Sequence, residues 1–184
     1  MAYNSQVMDS TVWSAFLDQY LPYCSSEEGL SQHALQLIAD SLRTRIHLAI
    51  MREPYLELIL EGSKTIESRL TKNRISPYRN AGSGDIVLFK RSGDKIRSAA
   101  MIRSVSFHCP SSEAELVSIV QPLRERIRYE DDFIEMKRDA RYVSLMELVN
   151  VATLPPAKFT KRGRQAWVTM IPAAASEQMH LSWK

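Results

Sequence analysis

The stretch from Ile46 to Leu70, IHLAIMREPYLELILEGSKTIESRL, sets the reading of the fold. IHLAI (46–50) is a short apolar run of strand type. Pro54 suits the first turn of a helix, Tyr55, Leu58 and Ile59 give that helix an apolar face, and Gly62 stops it. TIESRL (65–70) then alternates, which places Thr65, Glu67 and Arg69 on one face of a strand and Ile66, Ser68 and Leu70 on the other. Three charged side chains, Lys64, Glu67 and Arg69, thus fall within six residues of one another just past a helix stop. Lys64 has the opposite strand parity to Glu67 and Arg69, so a bulge or twist at the junction is needed for all three to meet.

Outward towards the C-terminus, Gly82-Ser83-Gly84 leads into a strand at DIVLFK (85–90), and Ser92-Gly93-Asp94 marks a turn before another strand over about 96–107. Ser112-x-x-Glu115 has capping-box spacing and opens a helix carrying Leu116, Ile119, Val120, Leu123 and Ile127, which Pro122 kinks or divides. Residues 131–140 read as a charged, weakly amphipathic helix. RYVSLMELVNV (141–151) is apolar on both faces, as a buried strand is, and QAWVTMI (165–171) is the final strand, with a loose tail after Pro172. Short antiparallel strands with interspersed helices predict an α+β fold built on a small, partly open β-barrel.

Outward towards the N-terminus, Val12, Trp13, Phe16, Leu17, Tyr20 and Leu21 form one helical stripe between a Ser10 cap and Pro22. A second helix starts at Ser25-x-x-Glu28 and carries Leu30, Ala34, Leu37, Ile38 and Leu42. Such a hairpin cannot bury both stripes alone. It either packs on the domain that follows, the preferred reading, or recruits a protein partner through residues 10–43.

At 184 residues the chain has room for one large domain, or one domain plus an extension. It contains no apolar run of about 18 residues and no evident secretory leader, so a cytoplasmic protein is expected. Cys24 and Cys109 have no metal-type spacing and read as two buried thiols in a reducing compartment, and His33, His47, His108 and His180 are scattered, so neither a metal site nor a cofactor is expected. The net charge of +3 hides an asymmetry: residues 1–44 carry one Arg against five acids, whereas residues 45–184 carry 23 basic against 16 acidic residues, a balance of +7. A basic body is either a soluble surface or an invitation to an anionic partner.

The order of strand, Pro54-Tyr55 helix, the Gly62-x-Lys64-x-x-Glu67-x-Arg69 signature and a Gly84-Asp85 pair opening the next strand resembles the ASCH domain (activating-signal-cointegrator homology) of the PUA-like superfamily. The resemblance covers about 46–171. It implies a PUA-like β-barrel over 46–171; residues 1–45, read as a helical extension packed on the barrel, and the 172–184 tail lie outside it. It also implies RNA or nucleobase binding in a cleft beside the signature. Some family members look like ribonucleases. One branch hydrolyses the acetyl amide of N4-acetylcytidine with Gly-x-Lys-x-x-Thr, where this chain has Glu67 in place of the Thr. A carboxylate is no substitute for that hydroxyl, so among hydrolases the ribonuclease reading stands ahead of the amidohydrolase.

The residue chemistry fits both binding and catalysis. Arg69 offers a rigid fork of donors for a phosphate or a base edge. Glu67 can accept a nucleobase amino proton, orient Arg69, or act as a general base on a 2′-hydroxyl. Lys64 can contact phosphate or stabilise charge in a transition state. Without such roles the trio is a salt-bridge cluster. Tyr55 is either core or a stacking platform. Lys158, Lys161, Arg162 and Arg164, with Phe159 among them, form a basic loop suited to tracking a single-stranded backbone. Trp167 reads as core. Arg124, Arg126 and Arg128 point in different directions along their helix and make a poor single patch.

Overall fold

The computed structural model describes residues 5–8, 45–157, 159 and 163–172. The helices expected over 10–43 and the tail beyond Pro172 lie outside the described residues. The elements run β1 (Ser5–Met8), β2 (Ile46–Met51), α1 (Tyr55–Leu60), β3 (Ile66–Thr71), β4 (Ile86–Arg91), β5 (Ile96–His108) and α2 (Glu113–Val120), then α3 (Arg124–Ile127), α4 (Phe133–Lys137), β6 (Tyr142–Ala157) and β7 (Trp167–Pro172). Seven strands form one mixed sheet in the order β1-β7-β2-β4-β5-β6-β3. The fold is α+β, as expected.

Most elements start and stop for local reasons. Gly62, at φ +77°, sits just past the C-cap of α1, and its N–H donates to the Ile59 carbonyl at 3.0 Å, the left-handed ending that glycine permits without a Cβ penalty. Ser112 caps α2 by accepting the Glu115 N–H. Pro122 divides the following helix, as expected: a 3-10 turn over Gln121–Leu123 separates α2 from α3. Ser5–Met8 forms a strand that sequence reading did not foresee, paired in parallel with β7.

Strand alternation divides the core. Ile46 and Leu48 of β2, Ile86 and Leu88 of β4, and Val168 of β7 pack on one face. Ala49, Val87, Phe89 and Trp167 turn to the other, where Leu56 and Ile59 of α1 cover them. A third cluster joins Ile66 and Leu70 of β3 to Leu116, Val120, Ile127 and Tyr129. Three register shifts between the long strands β5 and β6 strengthen the local twist and bend the sheet.

The expected barrel is open: among the described residues β3 and β1 end the sheet and do not pair with each other. A second departure is Cys109, which is a free thiol and exposed rather than buried. No helix among the described residues is long and apolar enough to cross a membrane.

The Gly84-Asp85 pair and His47 form a buried tie between β2 and the start of β4. Asp85 Oδ2 accepts from the Gly82 N–H at 2.7 Å and lies 3.0 Å from His47 Nε2. The Trp167 indole Nε1–H can only donate, and it points to His47 Nδ1 at 3.3 Å. Nδ1 therefore accepts, the ring proton resides on Nε2, and His47 donates it to Asp85. Thr169 Oγ1, 3.1 Å from Nδ1, and Asn80 Nδ2, 2.8 Å from that hydroxyl, complete the network.

Candidate nucleic-acid site

Lys64, Glu67 and Arg69 meet in the wall of one cleft of about 360 Å³. The junction that brings them together is the reversal at Gly62: the Lys64 N–H donates back to the Leu58 carbonyl at 2.8 Å, so Lys64 precedes the strand and escapes its parity. No bulge is required. Lys64 Nζ lies 3.4 Å from Glu67 Oε2, and Arg69 Nε lies 2.7 Å from Glu67 Oε1.

The Lys64 side chain is 3% exposed and fully committed. Its ammonium has three N–H groups, and three acceptors surround it: the Ile66 carbonyl at 2.7 Å, the Ile127 carbonyl at 2.8 Å and Glu67. Ile127 ends α3, where Arg128 at φ +61° turns the chain away and leaves that carbonyl without a helical partner. Lys64 thus ties α3, β3 and Glu67 together. Burial holds its pKa below the ordinary lysine value, and the Glu67 carboxylate partly restores it. The Tyr55 ring centroid lies 5.5 Å from Nζ, a favourable place for a cation.

Arg69 ties β3 to the corner where the Ile50 N–H meets the Ala166 carbonyl. Its Nη2 donates to the Ile50 carbonyl at 3.3 Å and its Nη1 to the Ala166 carbonyl at 3.3 Å, while its guanidinium lies 5.3 Å from the Trp167 ring centre. Trp167 is core, as expected, but one edge of it is also a shelf for Arg69.

Tyr55 is half-buried against the α1 cluster and also lines the cleft. Burial pushes its phenol pKa up, with the nearby Glu130 carboxylate adding to the rise. Arg164 is exposed and stands apart from the cleft lining, and Lys158, Lys161 and Arg162 lie outside the described residues. Arg124, Arg126 and Arg128 form no shared patch: they pair with Asp131, Glu147 and Glu125 respectively.

Sequence reasoning missed part of the lining. Tyr129, Glu130, Phe133, Met136, Lys137 and the exposed Arg52 also line the cleft, and Tyr129 packs with Ile66 and Leu70 of β3 in the core. Tyr129 and Phe133 stack at 4.9 Å with planes 22° apart, and Met136 is 55% exposed. The Phe133/Met136 spacing, i and i+3 on a charged helix, was the available signal.

The ASCH domain profile matches residues 50–158 of this chain. Among solved structures, an ASCH protein from Zymomonas mobilis aligns with TM-score 0.52 at 10% identity, covering 74% of this chain and 94% of that one. A point variant of the same protein aligns with TM-score 0.51 at 13% identity, covering 75% and 95%. At such identities the likeness is one of fold. No curated protein matches the sequence.

Proposed function

The chain belongs to the ASCH domain family, and on that premise we propose that it binds RNA, with an unpaired segment entering the cleft beside β3. The observation that carries the reading is the meeting of Lys64, Glu67 and Arg69 in the lining of one cleft that also holds Tyr55 and Phe133. Unstacked bases are recognised by aromatic faces and hydrogen-bonding groups, and a cleft lined by both suits them. In this reading Lys64 is a positioning residue. Its three bonds hold Glu67 still, and Glu67 with Arg69 meets the ligand. Arg52 and Lys137 of the cleft lining, with the basic loop 158–164, attract phosphates.

The test is fluorescence anisotropy with a labelled single-stranded RNA at rising salt. Affinity should fall steadily as salt rises, and duplex RNA should compete poorly. Binding that is indifferent to salt, or absent, rejects the reading.

A second reading follows from the lowered pKa of Lys64 inside a cleft, since perturbed lysines cluster at catalytic sites. It is a metal-independent ribonuclease, with Glu67 as base for a 2′-hydroxyl and Arg69 opposite the phosphorane. Incubation with a mixed RNA pool should then yield fragments, and both Lys64→Ala and Glu67→Gln should abolish them while remaining folded. Cleavage that survives in both variants rejects it.

A further inference from the structure

The backbone of β3 carries a binding element of its own. The Thr65 carbonyl accepts the Leu148 N–H at 2.9 Å, and β3 then pairs with β6 from Ile66↔Glu147 to Thr71↔Tyr142 without a shift. In an antiparallel ladder the hydrogen-bonded positions alternate. Glu67, Arg69 and Thr71 therefore turn their backbone groups to β6, while Ile66, Ser68 and Leu70 turn theirs to the opposite edge. β3 is the last strand of the sheet, so among the described residues no strand pairs with that edge.

Two devices shorten that free edge. Lys64 Nζ takes the Ile66 carbonyl, and the Arg69 side chain ties the strand to Ile50 and Ala166. What stays open is the backbone of Ser68 and Leu70, two residues that line the cleft. Among the described residues no other group bonds to their N–H and carbonyl groups. Buried or half-buried backbone groups of this kind are costly to leave unmet.

We propose that the Ser68 carbonyl and the Leu70 N–H form an acceptor–donor pair that reads the Watson–Crick edge of one unstacked nucleobase in the cleft. The proposal rests on the RNA reading above and specifies which atoms make the contact. A carbonyl and the N–H two residues on point the same way along a strand edge. Every base offers a matching neighbour pair: the amino group and ring nitrogen of adenine and cytosine, and the ring N–H and carbonyl of guanine and uracil. An added peptide strand is disfavoured, because strands usually run for about three to ten residues and only two are free here. A flat base needs no more than two.

The pair accepts all four bases with similar affinity, because each can rotate to satisfy it. A methyl group on the Watson–Crick edge removes the hydrogen-bonding match and leaves the backbone groups unmet, which should weaken binding by about tenfold or more.

The experiment titrates the full chain, labelled with nitrogen-15, with short single-stranded oligouridine and oligoadenosine. Parallel titrations use oligomers methylated at uridine N3 or adenosine N1. The Leu70 amide resonance should move strongly on binding and the Arg69 amide, inside the ladder, should not; the methylated oligomers should bind about tenfold or more weakly. RNA that binds without moving Leu70, or binds equally when methylated, overturns the edge reading and leaves RNA binding standing. Failure of every RNA to bind overturns both.

Discussion

Arg69 Nε donates to Glu67 Oε1 at 2.7 Å, and the far end of the same guanidinium donates to the Ile50 and Ala166 carbonyls. One side chain therefore orients the cleft carboxylate and ties edge strand β3 to the corner where the Ile50 N–H meets the Ala166 carbonyl. A planar fork with five donors can do both, and an ammonium cannot.

Arg69→Lys should keep a positive charge but lose the span. Stability should fall by about 2 kcal/mol, the scale of a few hydrogen bonds to charged or half-buried groups, read from the midpoint of urea unfolding. Amide exchange should quicken in β3. A variant as stable as wild type would mean that the corner needs no tie.

Lys64 gives a pH signature. Its folded-state pKa lies below the ordinary 10.5, so between the two values the unfolded chain binds the proton more readily than the native one. Stability then rises with pH across that window and has its lower value below it. Tyr55 works in the opposite sense above its ordinary 10.0, where the unfolded phenol ionises first. As pH rises towards 10, below the range where Tyr55 ionises, wild type should therefore gain stability relative to Lys64→Met in urea titrations. A constant difference between the two proteins would show that Lys64 does not titrate in this range.

Substitutions at Arg52 and Arg164 test two proposed phosphate paths. Arg52 is exposed in the cleft lining, and Arg164 is exposed outside it. If each meets one phosphate, its change to Ala should make the plot of log affinity against log salt shallower by about 0.7 for single-stranded RNA. A slope altered by Arg52→Ala alone would confine the strand to the cleft.

Gly84-Asp85 should prove structural. Asp85→Ala strands the His47 Nε2–H and the Gly82 N–H in a buried network, which should cost about 2–4 kcal/mol. Gly84→Ala, at φ +86°, should cost about 1 kcal/mol. RNA affinity of the folded fraction should be unchanged in both, so a large loss of affinity at full stability would move this pair into the binding machinery.

The Gly62 stop, the Ser112 cap, the division at Pro122 and the doubly apolar β6 were legible because each follows from backbone freedom or side-chain period within a few residues. The signature residues were legible for the same reason, as neighbours along the chain. Strand β1 was not, since four residues carry little periodicity and its partner β7 lies at the other end of the sequence. The Phe133 part of the lining was not, because a five-residue helix shows its face only once α2 and α3 have fixed where it docks.

The sequence by itself determined the α+β class, most element boundaries and the identity of the charged trio, all of which rest on local sterics and alternation. Tertiary structure alone decided that Lys64 would be a buried tie rather than a mobile arm. Its three acceptors come from a strand, a helix end and a carboxylate that meet only in the folded chain. It also decided that β3 would be an edge strand of the described sheet, with the backbone of Ser68 and Leu70 turned away from β6. Hydrogen-bond direction depends on which partner a strand finds, and that is settled by packing and register rather than by the strand's own residues.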